Sequence, residues 1–258
     1  MDHVPARTPA SPRPGTADEL NPEVRLRLAE EVTHGRTVSE WAHLDVARVQ
    51  RRTRRATGWL IKLTCRSRAF GVEHIPRAGA FLLAANHSSW LDGWLQLIHQ
   101  PRIARIIGKS EALKLGLISR FLVAAGVFPV LRGEGDLRAR EILRLVLESG
   151  TPVLIYPEGT RKGHPPGELG TPKNGTALLA LQTGVPVVPA ATIGVRRPGE
   201  PLRLHWPKVT TVYGAPMQFE GPATPERVAE VTALIWAEIQ RLHGSADDLR
   251  RSRGRRSS

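Results

Sequence analysis

The feature that most constrains the fold of this chain is a series of short apolar runs alternating with segments of helical periodicity. The runs, taken as strands, are 81–85, 103–107, 127–131, 153–156 and 185–191. The helical segments, with capping residues near their ends, are 90–99, 111–125, 137–149 and 175–183. Strands separated by helix-length segments are typical of parallel sheets. The sequence therefore predicts an α/β fold with a mixed, largely parallel sheet flanked by helices.

The carboxyl-terminal third extends this pattern. Segments 202–205 and 209–213 are further candidate strands, and Thr224-Pro225 begins a last helix that Gly244 ends. We expect one main domain at 69–244. The predicted flanking segments are a proline-rich disordered lead at 1–20, helices at 21–68, and a disordered basic tail at 245–258.

The net charge of +13 is concentrated in two segments. Eight Lys or Arg lie in 46–72 and five Arg in 250–258, with no acidic residue in either, while the other 24 basic residues balance the 24 acidic ones. Such patches favour an anionic partner surface, either a membrane or a nucleic acid. Aromatic residues make up only 5% of the chain and form no base-stacking pattern, so no nucleic acid is expected.

The first basic patch lies on a predicted amphipathic helix, which a capping box at 37–40 begins and which reaches about residue 64. Its apolar stripe consists of Val49, Ala56, Trp59, Leu60 and Leu63. The stripe has two interpretations. It packs on the domain beneath a solvated charged face, or it docks on an anionic bilayer with Trp59 near the headgroups.

Composition excludes several other classes. A single cysteine, Cys65, rules out an intramolecular disulfide and the common zinc-finger spacings. The uncharged stretch 176–195 is interrupted by Gly184, Pro186 and Pro189, so we expect no transmembrane span, and the amino terminus lacks a signal-peptide core. These features predict a peripheral protein on the cytoplasmic face of the cell membrane.

The candidate catalytic residues lie where the first apolar run meets a helix, in the stretch 86–92. Strand-to-helix turns at the carboxyl ends of strands are where open α/β sheets bind ligands. His87 is the side chain suited to exchanging a proton near neutrality, with an unperturbed pKa of ~6.5, and Asp92 is close enough to orient it. The pair is interpreted as a base and its orienting carboxylate. The alternative is a helix-capping aspartate beside a histidine with an ordinary structural role.

Other strand ends carry groups suited to an anionic substrate. Arg132 follows one predicted strand and Arg161 follows the next, and a guanidinium can bind a phosphate through two hydrogen bonds. Each arginine alone is also compatible with an ordinary surface position. The segment 185–191 could form the wall of an acyl-chain site, although a core strand explains it equally well.

Together these stretches resemble the lysophospholipid acyltransferase family, of the 1-acylglycerol-3-phosphate acyltransferase type. The first family motif, Asn-His-x-Ser-x-x-Asp, is matched by Asn86, His87, Ser89 and Asp92. The second is matched by Gly126, Pro129 and Arg132, the third by 157–161 with Tyr156 in place of Phe, and the fourth by 185–189. The resemblance covers about 70–214.

The resemblance implies transfer of a fatty acyl group from acyl-CoA or acyl carrier protein to a lysophospholipid hydroxyl. The acceptor it implies is 1-acylglycerol-3-phosphate, which would give phosphatidic acid. Catalysis would rest on His87 and Asp92. The substrate-binding residues it implies are Lys109, Arg132, Glu158, Gly159, Thr160, Arg161 and Pro189. No metal or bound cofactor is expected.

Alternative functions follow from the same residues. The acceptor could be another lysolipid or a different hydroxylated or aminated compound, and a non-enzymatic lipid-binding role also fits the basic patches. A serine hydrolase using Ser88 or Ser89 is disfavoured because the chain lacks a Gly-x-Ser-x-Gly elbow. A phosphate-binding loop ending at 108–110 fails because Ile103 stands where its first glycine is required.

Overall fold

The structure, a computed structural model, describes residues 46–89, 92–102, 104–109, 127–130, 140, 143–144, 146–159, 168–195 and 208–255. The helices with defined bounds are α1 (Val46–Thr64), α2 (Asp92–Leu97), α3 (Gly175–Thr183) and α4 (Pro225–Arg255). The strands are β1 (Arg68–Phe70), β2 (Leu82–Ala85), β3 (Arg105–Lys109), β4 (Val127–Val130), β5 (Val153–Ile155), β6 (Val187–Ile193) and β7 (Thr210–Tyr213).

The strands form one seven-stranded sheet in the order β1-β7-β6-β2-β5-β3-β4. All neighbouring pairs are parallel except β6 and β7, which are antiparallel. The five neighbouring strands β6, β2, β5, β3 and β4 therefore run in one direction, and their carboxyl ends lie along the same side of the sheet. The predicted α/β class with a mixed, largely parallel sheet is confirmed.

Strand β2 lies near the middle of the sheet and shows why its sequence is continuously apolar. Leu82 and Ala84 pack into the core beneath α3 and α4, whereas Leu83 and Ala85 pack into the core on the opposite face. All four side chains are buried because helices or loops cover both faces. A parallel strand covered on both sides has no solvent-facing position and so needs no polar residue.

Several predicted boundaries require correction. Strand β3 occupies Arg105–Lys109 rather than 103–107, because the residues that pair with β4 are 106–109. Strand β1, Arg68–Phe70, was missed because it is only three residues long, is largely exposed and lies at the edge of the sheet. Helix α2 is shorter than predicted. The predicted segments 21–35, 111–125 and 202–205 lie outside the described residues.

The predicted end of the last helix at Gly244 is wrong, since α4 continues to Arg255. Beyond the glycine, Ala246 is buried against Ala191, Ile193 and Val212 of the sheet. Asp247 also pairs with Arg250 and Arg251, one turn further along the helix. Packing and these ion pairs offset the helix-weakening effect of a single glycine, which is about 1 kcal/mol.

Helix α1 contacts the domain through an unexpected side. Gly58 is buried against the domain, where a Cβ at this position would lie 3.9 Å from Ile98 Cγ2. On the same helix, Arg54 Nη1 donates a hydrogen bond to Gln100 O at 2.8 Å. Four residues of the apolar stripe are exposed instead: Ala56, Trp59 (63%), Leu60 (47%) and Leu63 (66%). The interpretation of a packed stripe is therefore wrong for these four side chains.

The hydropathy of the described helices bears on membrane crossing. None of them is both long and apolar enough to traverse a bilayer.

Candidate active site

The candidate site lies at the sheet edge where β2 and β5 end. These strands are parallel neighbours, with Ala84 opposite Ile155. The residues that follow them, His87 after β2 and Tyr156 to Glu158 after β5, are therefore brought together although about 70 positions separate them in the chain. Parallel pairing of β2 and β5 thus places the first and third motifs side by side.

His87 and Asp92 are in contact, as the five-residue spacing predicted. His87 Nδ1 lies 3.2 Å from Asp92 Oδ2, and Asp92 is fully buried while the His87 side chain is 20% exposed. A carboxylate only accepts hydrogen bonds, so the contact places the ring proton on Nδ1. Nε2 then keeps its lone pair and can accept a proton.

Asp92 also shapes the turn that carries the histidine. Its Oδ2 accepts hydrogen bonds from the backbone amides of Ser88 at 2.5 Å and Ser89 at 2.6 Å. One carboxylate oxygen thus binds the ring and two amides of the same turn. A buried carboxylate is stable when hydrogen-bonded in this way, so Asp92 serves both the turn and the imidazole.

Tyr156 packs on the face of His87. The two ring centroids are 3.9 Å apart and the planes differ by 14°, which is a stacked arrangement. The tyrosine ring therefore fixes the plane of the imidazole, while Asp92 fixes its edge. In the motif, Tyr156 was recognised only as a substitute for the family's Phe, and the stacking on His87 was not predicted.

Glu158 lies beneath the same turn and is 2% exposed. Its Oε1 accepts the backbone amide of His87 at 3.0 Å, and its Oε2 accepts the amide of Gly170 at 2.9 Å. The carboxylate therefore joins the β2–α2 turn to the segment that precedes α3.

Behind the turn, Asn86 binds the backbone of β6. Its side-chain amide donates to Thr192 O at 3.0 Å and accepts from Thr192 N at 2.8 Å. Gln96 Nε2 donates to Asn86 O at 3.1 Å, and Tyr213 OH donates to Gln96 O at 2.5 Å. These buried bonds tie β2, α2, β6 and β7 together directly behind His87.

The remaining predicted site residues are described to different extents. Gly159 follows Glu158 in a left-handed turn with φ of 64°. Pro189 is buried in β6 opposite Ala84, and its carbonyl accepts the amide of Gly214 at 2.8 Å, so it is a core residue of the sheet. Lys109 is described only in its backbone, at the end of β3. Arg132, Thr160 and Arg161 lie outside the described residues.

Lys173 is a site residue that the sequence reasoning missed. Its backbone amide donates to Pro157 O at 2.8 Å, and the end of its side chain lies above Gly159. A Cβ at Gly159 would be 3.3 Å from Lys173 Nζ. The glycine therefore leaves room for an exposed cation beside the turn. Nothing in the Lys-Asn-Gly sequence before α3 indicates that Lys173 lies beside the turn that follows β5.

Metal ligands and a reactive thiol are two other groups that could supply chemistry at a site of this kind. Within the described ranges, no three His, Cys, Asp or Glu side chains are grouped so that they could hold a metal ion. Cys65 is partly buried against Trp94, Leu95 and Ile98, and this burial raises the pKa of its thiol. A raised pKa leaves less of the reactive thiolate at neutral pH.

Comparison with known proteins agrees with this geometry. The model of the Acyltransferase family matches residues 66–193, which include both the β2–α2 turn and the β5 turn. The chain belongs to this family of acyltransferases, and the family resemblance predicted from the four motifs is confirmed.

Two relatives are each named 1-acyl-sn-glycerol-3-phosphate acyltransferase. The protein from Pseudomonas aeruginosa is 27% identical over 67% of this chain and 68% of its own. The protein from Bacillus subtilis is 28% identical over 70% of this chain and 90% of its own. Among solved structures, the 1-acyl-sn-glycerophosphate acyltransferase PlsC of Thermotoga maritima aligns with a TM-score of 0.55. It is 22% identical, with 85% of this chain and 87% of that chain covered, and it supports the fold.

Proposed function

We propose that the protein transfers a fatty acyl group from an acyl thioester to the free hydroxyl of 1-acylglycerol-3-phosphate, producing phosphatidic acid. The donor is acyl-CoA or acyl carrier protein. The observation that carries the proposal is the His87–Asp92 contact of 3.2 Å at the edge of the sheet, which leaves Nε2 able to accept a proton. The acceptor is inferred from the names of the relatives.

The chemistry requires a base. A glycerol hydroxyl has a pKa far above 7, so its proton must leave as the oxygen attacks the thioester carbonyl. Nε2 of His87 takes that proton, and Asp92 stabilises the imidazolium that forms. The oxygen–carbonyl bond forms, the carbon–sulfur bond breaks, and the proton passes from His87 to the departing thiolate.

The phosphate of the acceptor needs a cation near the base. Lys173 extends over Gly159, next to the Glu158 turn that contacts His87, and it supports an anionic acceptor at this edge. Arg132 and Arg161 are proposed for the same role from their motifs alone. An arginine can bind a phosphate through two hydrogen bonds, whereas a lysine contributes a mobile point charge.

Direct transfer, without an acyl-enzyme, agrees with the contacts of the candidate nucleophiles. The backbone amide of Ser88 donates to Asp92 at 2.5 Å, and its hydroxyl lies 3.5 Å from the same carboxylate, directed to the orienting residue. The thiol of Cys65 has a raised pKa because it is partly buried. A base that acts on the acceptor hydroxyl requires donor and acceptor to be bound together.

Docking on an anionic bilayer is the second part of the proposal. Helix α1 exposes Trp59, Leu60 and Leu63, and the edge of β1 adds Phe70 at 36% exposure. The same surface carries exposed basic residues, namely Arg52, Arg55, Lys62, Arg66 and Arg68. Apolar side chains flanked by cations match an interfacial layer of anionic headgroups over acyl chains. The docked protein would take its lipid acceptor from this interfacial layer.

The test is a substrate screen with purified protein. Acyl-CoA and acyl carrier protein thioesters are each offered with 1-acylglycerol-3-phosphate, with monoacylglycerol, and with a lysolipid whose phosphate is esterified. We expect phosphatidic acid from the first acceptor, and at least about 10-fold lower kcat/KM with those lacking a phosphomonoester, which is about 1.4 kcal/mol of discrimination. Equal use of monoacylglycerol would contradict the phosphate assignment.

A further inference from the structure

We propose that Glu158 is a positioning residue that holds the backbone of His87 in place for catalysis, and that it is not a ligand of the acceptor. The inference rests on the proposed role of His87 as the base. It departs from the role that the motif resemblance implies for this glutamate.

The contacts of the carboxylate carry the inference. Oε1 accepts the His87 amide at 3.0 Å and Oε2 accepts the Gly170 amide at 2.9 Å, so each oxygen binds main chain from a different segment. The residue is 2% exposed. A buried carboxylate with an amide on each oxygen is a brace between two segments, because amide hydrogen bonds to a charged acceptor are strong.

The chemistry of the acceptor points the same way. A phosphomonoester and a carboxylate are both negatively charged near neutral pH, so Glu158 would repel the phosphate at short range and is poorly suited to bind it. The described cation at this turn, Lys173, lies instead over Gly159 on its exposed side. The buried anion and the exposed cation therefore have different tasks.

Glu158 binds the backbone nitrogen of His87, and the position of that backbone sets the direction in which the imidazole projects. The His87 imidazole is fixed at Nδ1 by Asp92 and on its face by Tyr156. The main chain from which the ring projects is held by further bonds: Asp92 binds the amide of Ser88 and Gln96 binds the carbonyl of Asn86. Glu158 is the group that binds the amide of His87 itself. Because Tyr156 and Glu158 belong to one turn, displacement of that turn would disturb both the ring and its backbone.

His243 on α4 lies close enough to Glu158 to interact electrostatically with it. Burial lowers the pKa of His243, while the carboxylates of Asp247 and Glu158 oppose that effect.

The experiment compares three variants by steady-state kinetics with an acyl-CoA donor and varied 1-acylglycerol-3-phosphate. Glu158→Gln keeps one acceptor oxygen and puts an amide donor against a backbone donor, so one of the two bonds is lost. Glu158→Ala loses both. Glu168→Gln, which removes a charge from an exposed glutamate close by in the chain, is the matched control.

We expect kcat to fall about 10-fold in Glu158→Gln and about 100-fold in Glu158→Ala, the size of effect expected from displacing a catalytic group by about 1 Å. The acceptor KM should stay within about twofold, and Glu168→Gln should match the wild type. A higher acceptor KM with unchanged kcat, or full activity in Glu158→Ala, would overturn the proposal.

A second readout keeps the inference separate from the proposed base. In amide NMR spectra of Glu158→Gln, the His87 and Gly170 resonances should shift more than those of any other residues outside the mutated turn. Unchanged resonances would overturn the brace. Full turnover in His87→Ala would instead overturn the base, so the two claims fail on different observations.

Discussion

At the scale of single residues, the central arrangement is an imidazole held from three directions. Asp92 binds its edge, Tyr156 covers its face, and Glu158 binds its backbone. Each contact restricts a different movement of the ring. For the proposed role of His87 as a base, a ring held in this way would need little reorganisation on binding of the acceptor, which is a main source of rate enhancement.

The role of Asp92 can be tested with Asp92→Asn. An asparagine can place its one acceptor oxygen where Oδ2 now binds the His87 ring and the amides of Ser88 and Ser89, but it removes the negative charge and puts a buried amide donor at the Oδ1 position. We expect kcat to fall at least about 100-fold, the contribution typical of general acid–base catalysis. Stability should fall by about 1–3 kcal/mol, the cost of leaving a buried donor unpaired. Chemical denaturation and initial rates measure the two effects, and unchanged kcat would contradict the orienting role.

Tyr156 offers a separate test of the stack. Tyr156→Phe keeps the ring 3.9 Å from the imidazole, so activity should stay within about threefold of the wild type. Tyr156→Ala removes the ring and about 0.5–1.5 kcal/mol of aromatic contact, so kcat should fall by about 10-fold. Initial rates under saturating substrates decide this. Equal loss in both variants would show that the hydroxyl, not the stacked ring, is what matters.

Sequence alone could predict some of these residues and not others. The His87–Asp92 pair lies within one turn, so its spacing sufficed. Tyr156 and Glu158 reach His87 only because β2 and β5 are neighbours, and strand order is not encoded in either local segment. Their contacts therefore required the structure.

At the scale of elements, the same distinction applies to the helices. The bounds of α3 were predicted correctly, because Gly184 ends it in a left-handed conformation with φ of 63°. The end of α4 was not, because the burial of Ala246 against β6 and β7 outweighs the signal of Gly244. A capping residue in the sequence thus predicts a helix end correctly when no tertiary contact stabilises a longer helix.

Helix α1 carries the prediction on membrane docking. Trp59→Asp with Leu63→Asp should reduce binding to vesicles that contain anionic lipid by about 10-fold or more, since two exposed apolar side chains are lost and two negative charges are added. The control is Leu234→Asp, which changes an exposed leucine on α4. Vesicle co-sedimentation at two salt concentrations measures binding.

Wild-type binding should weaken as salt rises, because the cations of α1 are screened. The control variant should bind like the wild type. Docking through α1 would be contradicted if the double variant bound equally well, or if binding ignored both salt and anionic lipid.

At the scale of the whole molecule, a partly buried histidine that contacts the connection between α1 and β1 makes stability depend on pH. His99 Nε2 lies 2.8 Å from Ser67 Oγ, and burial lowers the pKa of His99 to about 4, with the charge of Lys62 adding to the effect. His99 stays neutral in the folded protein while the unfolded chain takes up a proton below its ordinary pKa of 6.5. The unfolded state then binds more protons, so this contribution to stability is complete above pH 6.5 and is lost as the pH falls towards 4.

The prediction is a reduced slope of unfolding free energy between pH 6.5 and 4 in His99→Gln, measured by chemical denaturation. Ser67→Ala, which keeps the titrating ring, should retain most of the slope. Burial also lowers the pKa of His243, which therefore contributes to the slope in the same direction. Part of the pH dependence should for this reason remain in His99→Gln. An identical slope in wild type and His99→Gln would contradict the assignment.

Whole-molecule prediction from sequence succeeded for fold class and family. Alternation of apolar runs with helices is a property of the entire chain, and four motifs in a fixed order are specific as a set. It did not show that the exposed side of α1 carries the apolar residues, because an amphipathic pattern does not say which face contacts the domain.

The most direct measurement of the central claim is the rate of phosphatidic acid formation from acyl-CoA and 1-acylglycerol-3-phosphate by purified wild type and His87→Ala. We expect the variant to keep its fold, shown by an unchanged circular dichroism spectrum, and to lose at least about 1,000-fold in kcat, within the range by which a positioned base accelerates proton transfer. Near-normal turnover in the folded variant would contradict the assignment of His87 as the base.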